Sequence, residues 1–187
     1  MKDHSGKIKL RAIIGKTVIS AWAILLAVPL ADAFALTITQ ENIVHLINTR
    51  RESEGLQPLR ISVELNLAAN RKSKDMIKRN YFDHYAYGLR PWDFISTAGY
   101  DYQAAGENLA MNFNTAEGVV RAWMNSPAHR DNILNPEFSD LAVGVVRGVF
   151  SEGGVDRNST MVTNMFGQKK TVFSSTLESI KSLFPLY

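Results

Sequence analysis

The chain contains no cysteine. That excludes disulfides, any thiolate metal site and lipid attachment through an N-terminal cysteine, so stability must come from burial of an apolar core. Proline is sparse, with six in 187 residues, and Pro91 and Pro127 stand where they would open helices. There is no internal repeat and no low-complexity segment. Only one long apolar run occurs, TVISAWAILLAVPLA at residues 17–31. Its 15 residues fall short of the ~20 that a spanning helix needs. Lys7, Lys9, Arg11 and Lys16 precede the run, and Ala33-Phe34-Ala35 follows it as a small-x-small cleavage pattern. Residues 1–35 therefore read as a secretory signal cleaved after Ala35, with an uncleaved anchor as the alternative. Either reading places the domain outside the cytoplasm, secreted to the extracellular space or periplasm, and cleavage leaves no stable membrane span.

Positive charge is also scarcer than the formal net charge of +3 suggests. Residues 1–35 hold five of the 21 basic and two of the 18 acidic side chains, which leaves 16 of each sign in the remainder. No basic patch interleaved with aromatics is present, so nucleic acid is excluded as a partner class. Residues 36–187 suffice for one domain with its own core, taken as 36–170 with a C-terminal tail at 171–187.

Along the chain, Thr39 caps a first helix in which Ile43, Leu46 and Ile47 share a face and Gly55 supplies the left-handed stop. Ser62 caps a second helix from about Val63 to about Asn80. Leu65, Ala69 and Met76 mark its buried stripe, and Arg71, Lys72, Lys74 and Lys78 are expected to face water. An aromatic loop, residues 81–88, carries His84. A short helix follows from Pro91 to the Ala98-Gly99-Tyr100 stop. Residues 106–111 are strand-like. Thr115 caps a helix that turns Val119, Val120 and Trp123 inward, and Ser126-Pro127 starts a single turn that presents His129. Leu141, Val143 and Val145 then alternate with Ala142, Gly144 and Val146 as a largely buried strand. A generous turn at residues 151–154 leads to a return strand over 160–165. The tail has a weak helical stripe of Leu177, Ile180 and Phe184. Helices first and strands last imply an α+β domain with helices covering a sheet.

Three histidines lie beyond residue 35. His45 sits in the first helix and reads as surface. His84 and His129 are 45 residues apart, with no local ligand spacing; neutral imidazole nevertheless suits zinc and similar ions. Glu107 lies in an apolar, strand-like run, where a carboxylate has to face a polar cavity, a cation or backbone N–H groups. Ser126 is explained by helix capping better than by nucleophilic catalysis, since no carboxylate is spaced to orient His129. Glu117 is accounted for by the helix dipole. Asn158-Ser159-Thr160 matches a glycosylation acceptor and is read as accidental.

Several motifs occur in order: Asn48-x-x-Arg51, Gly55-Leu56-x-Pro58-Leu59, Asp75-Met76, Tyr81-Phe82-x-His84, Gly106-Glu107-Asn108-Leu109-Ala110, and Trp123-Met124-Asn125-Ser126-Pro127-x-His129-Arg130-x-Asn132-Ile133-Leu134. Together they resemble the bacterial branch of the CAP superfamily, the SCP-like extracellular domain shared by cysteine-rich secretory, pathogenesis-related and venom allergen proteins. The resemblance spans roughly residues 43–167. It implies a three-layer α-β-α sandwich with a small, mainly antiparallel sheet. It also implies a central cavity lined by two histidines and two acidic residues able to hold a divalent cation. By motif the histidines are His84 and His129, and one acid is Glu107. Ser126 stands where the second acid is expected. The implied site is thus a weak, water-open one for zinc or a similar ion, with His84, His129 and Glu107 as its ligands. No residue is assigned a catalytic role. The implied function is binding of a small apolar molecule, a cell-envelope component or a protein partner. The rival readings are a metal-assisted hydrolase of peptide or cell-wall bonds, with Glu107 as ligand or general base, and a purely structural envelope protein.

Overall fold

A computed structural model describes residues 35–171, which belong to one compact unit beginning at Ala35. The signal segment and the stripe of Leu177, Ile180 and Phe184 lie outside the described residues. Five helices and four strands follow in the order α1 (Gln40–Ser53), β1 (Arg60–Ile61), α2 (Val63–Arg79), α3 (Pro91–Thr97), β2 (Tyr102–Met111), α4 (Ala116–Asn125), α5 (Pro127–Leu134), β3 (Asp140–Glu152) and β4 (Val155–Lys169). The strands form one sheet in the order β1-β3-β4-β2. The β2/β4 and β3/β4 pairs are antiparallel, and the two-residue β1 runs parallel to β3.

Strand alternation sends successive side chains to opposite faces, and the two faces meet different helices. Leu141 and Val143 of β3 and Val162 and Phe166 of β4 join α1, α4 and α5 in one core, with Ile43, Ile47, Trp123 and Ile133. Ala142 and Met165, one residue out of phase, join Leu65, Ala68 and Ala69 of α2 and Ile95 of α3. This is the three-layer α-β-α sandwich. Its α2 layer lies very close to the sheet because position 144 is glycine. A Cβ there would stand 2.4 Å from the Ala69 carbonyl carbon.

The caps act locally as their residue types require. Thr39 and Ser62 accept from the N–H groups of Asn42 and Leu65, and Asn80 ends α2 in the left-handed region. Other expectations need correction. The hairpin loop is not generous: β3 and β4 pair as far as Glu152 and Val155. Gly153 and Gly154, both with positive φ, make the two-residue turn that suits strand twist. His129 sits on an eight-residue helix, α5, rather than a single turn. Ser126 occupies its N-cap position but makes no side-chain cap bond. Lys72, expected to face water, is fully buried. It lies in register with Leu65, Ala69 and Met76 on the inward stripe of α2, and periodicity prevailed over side-chain type.

Candidate functional site

Strand β2 is an edge strand, and the site forms along it. The loop after α2 brings His84 from one helical layer, and α5 brings His129 from the other. With Glu107 of β2 they line a cleft of about 380 Å3, whose walls include Tyr85, Trp92 and Asn132. The two imidazole rings lie 6.4 Å apart, centroid to centroid, tilted by 38°. Residues far apart in the chain thus converge because both layers overhang the same sheet edge.

Glu107 is 5 % exposed, and its Oε1 lies 2.7 Å from Nδ1 of His84. An ionised carboxylate can only accept, so Nδ1–H donates and Nε2 is left as the free ring nitrogen. Glu107 Oε2 is buried without a hydrogen-bond partner. Burial pushes the Glu107 carboxyl up, opposed by the bond to His84 and the nearby Lys72 ammonium. The same bond raises His84, against its own burial. Burial lowers His129, and the neighbouring His84 adds to the effect. The two imidazoles are therefore biased apart: His84 holds a proton more readily and His129 less so.

Both histidines are held by their backbone carbonyls. Asn108, fully buried beside Glu107, donates through Nδ2 to the His129 carbonyl at 2.9 Å. Asn132 donates to Asn108 Oδ1 and to the Glu107 carbonyl, tying α5 to β2. On the other side Lys72 donates to the carbonyls of Asp83 and His84 at 2.8 and 2.9 Å.

The remaining candidates lie elsewhere. Glu117 accepts the Leu36 N–H with both oxygens, which holds its carboxyl low and fastens the start of the domain to α4. His45 is exposed on α1. Among the described residues no hydroxyl is hydrogen-bonded to either cleft imidazole, and no three His, Cys, Asp or Glu side chains stand together as an ion-holding group. Glu107 is engaged through Oε1 by His84. Any ion held here would have to take the two imidazoles, with the carboxylate behind one of them. Lys72 belongs to the site although its residue type points to solvent; its place on the α2 stripe is the signal in the sequence. The grip of Asn108 and Asn132 emerges only in the structure.

Residues 44–153 match the model of the cysteine-rich secretory protein family, CAP, which covers more than half of the chain. The chain belongs to the CAP family. An uncharacterized Bacillus subtilis protein, YkwD, is 47 % identical over 109 residues, 57 % of this chain and 42 % of its own length. An uncharacterized membrane protein of the same organism, YlbC, is 33 % identical over 123 residues, 65 % of this chain and 35 % of its own. This CAP chain therefore spans less than half the length of the curated relatives it matches. Among solved structures, an extracellular SCP-domain protein from Bacillus anthracis superposes with a TM-score of 0.58 at 29 % identity, over 70 % of this chain and 40 % of that one. An outer surface protein from Borrelia burgdorferi gives a TM-score of 0.60 at 22 % identity, over 73 % of this chain and all of its own. The second likeness speaks for the CAP fold alone.

Proposed function

We propose that this CAP domain acts outside the cytoplasm as a binding module rather than an enzyme, with the edge-strand cleft as its polar site. The observation that carries the reading is the convergence of His84 and His129 with a buried carboxylate behind one ring. Such a carboxylate fixes the tautomer and raises the basicity of the imidazole it holds. In this reading a divalent cation such as zinc binds weakly on the two imidazoles, and Glu107 acts through His84 rather than as a ligand. The ion would supply a charged anchor for an oxygen-bearing ligand at the mouth of the cleft. A separate groove of about 570 Å3 between α2 and α3, lined by Leu89 and Phe94 with Arg71, Lys74, Lys78, Asp75 and Asp93 around it, suits a small apolar molecule with a polar group. Location outside the cytoplasm is supported by the extracellular description of the Bacillus anthracis neighbour and by the apolar run at residues 17–31.

The test is calorimetric titration of the whole chain with zinc. Uptake is expected, lost in His129→Ala and weakened about 10- to 100-fold in Glu107→Gln. Uptake that ignores both substitutions would end the metal part of the reading. Turnover of a peptide or cell-wall substrate that His129→Ala abolishes would replace binding with catalysis.

A further inference from the structure

Lys72 presents an energetic problem. It is fully buried, yet among the described residues no carboxylate lies within ion-pair distance of its ammonium. A buried unpaired charge is strongly unfavourable unless other polar groups surround it. Nζ donates to the carbonyl oxygens of Asp83 and His84 and lies 3.5 Å from the Tyr81 hydroxyl. The rings of Tyr81 and Phe94 stand over it at 4.9 and 5.4 Å. Asp75 on its own helix, Asp83 in the loop and Glu107 on β2 attract it at longer range, while burial pulls its pKa down.

An apolar side chain at this point of the α2 stripe would complete the core without a buried charge. What an apolar residue could not do is grip two consecutive carbonyls of the loop above. Among the described residues the loop is also held at its start by Tyr81, whose N–H and hydroxyl reach the Met76 carbonyl and Asp75. Further on it is held by the Tyr81–Tyr87 ring contact, the Ala86–Leu89 bridge, the Tyr85 N–H to Asp83 Oδ1, the Tyr87 hydroxyl to the Arg79 carbonyl and the His84–Glu107 bond itself. None of these holds the Asp83 or His84 carbonyl, which among the described residues only Lys72 grips. Loops of this kind are mobile unless their backbone is tied down. His84 needs its Nδ1 within hydrogen-bond reach of Glu107, a tolerance of a few tenths of an ångström.

We propose that Lys72 is the positioning residue of the cleft, its buried ammonium clamping the Asp83 and His84 carbonyls so that the His84 ring is held on Glu107 and opposite His129. It is the counterpart, from the other layer, of Asn108 beneath His129. The proposal deepens the binding reading by naming what pre-organises the site, and its test needs neither metal nor ligand.

The test is nuclear magnetic resonance of the whole, isotope-labelled chain. The Nδ1 proton of His84, donated to a buried carboxylate, should give a low-field, slowly exchanging signal in the parent protein. In Lys72→Met, which fills the same volume without charge, that signal is expected to be lost while the amide spectrum stays folded. Ile47→Val, a core truncation in the opposite layer, should keep it. Retention of the signal in Lys72→Met, or its equal loss in Ile47→Val, overturns the proposal. Should Lys72→Met not fold, the parent protein decides. Its Lys72 ammonium should show through-bond couplings to the carbonyl carbons of Asp83 and His84, and their absence overturns the clamp. Failure of zinc uptake in the parent, with the His84 signal and these couplings intact, would count against the binding reading and leave the clamp standing.

Discussion

His84 and His129 share one cleft, but their surroundings shift their proton affinities in opposite directions. The bond to Glu107 raises His84 above its usual range, and burial raises Glu107 as well. Both groups then bind protons more readily folded than unfolded, so their contribution to stability is full below the unfolded values and is lost as pH rises through the folded ones. His129 is lowered, so its contribution appears above the unfolded imidazole value of about 6.5 and is lost on acidification. Melting temperatures of His84→Gln and His129→Gln, each subtracted from the parent across pH, should therefore give opposite slopes. The His84 difference should shrink as pH rises, and the His129 difference should grow. Parallel profiles would contradict the assigned bond. At Asn108 the side chain serves as donor to the His129 carbonyl and acceptor from Asn132. Asn108→Ala leaves buried polar groups without partners, and chemical denaturation should show a loss of about 1–3 kcal/mol. His84, Glu107 and His129 are singled out in the sequence by the ordered motifs that carry the family resemblance, since neither the 45-residue separation of the histidines nor the type of any one residue does so alone. That His84 takes Glu107 for itself could not be read there, because a hydrogen bond between residues 23 apart depends on how two layers close on one strand.

The helices and strands follow from local rules more completely than the site does. Thr39, Ser62 and Thr115 start α1, α2 and α4 with side-chain caps, and Ser62→Ala should lower stability by about 1 kcal/mol in a thermal melt. Gly144 has a different purpose. Its missing Cβ lets α2 approach β3 until the backbone of Ala69 is in contact. Backbone cannot step aside as a side-chain tip can, so Gly144→Ala should cost about 1–3 kcal/mol by overpacking, measurable in urea. A fully stable variant would mean that α2 can slide outward. On the α2 stripe, side-chain type and helical spacing conflict. Lysine type suggested solvent, while its spacing from Leu65, Ala69 and Met76 placed Lys72 inside. The tight Gly153-Gly154 turn is visible as a pair of glycines, but the return strand reads as shorter than it is because residues 155–158 are all exposed and carry no alternation.

At the scale of the molecule, the elements of one helical layer are tied to one another by a buried polar group as well as by apolar packing. Arg51 is 1 % exposed and donates to the carbonyls of Gln57, Ile133 and Asn135 at 2.7–2.9 Å. It joins the end of α1 to the end of α5, the helix that carries His129. Arg51→Leu leaves three carbonyls without their donor and should lower the unfolding free energy by about 2–4 kcal/mol. It should also perturb the His129 resonances more than those of His84, which belongs to the other layer. Equal perturbation of both would argue that the cleft moves as one piece.

Local chemistry in the sequence determined the caps, the strand alternation, the absence of disulfides and the ordered motifs of a CAP domain, because each depends on residues a few positions apart. Tertiary structure alone decided that an edge strand brings two layers together over Glu107, that one imidazole is bound to that carboxylate, and that a lysine lies buried beneath the loop. Those outcomes depend on which faces the sheet leaves open and on burial that makes unpaired charge costly, and neither is encoded in any single stretch of chain.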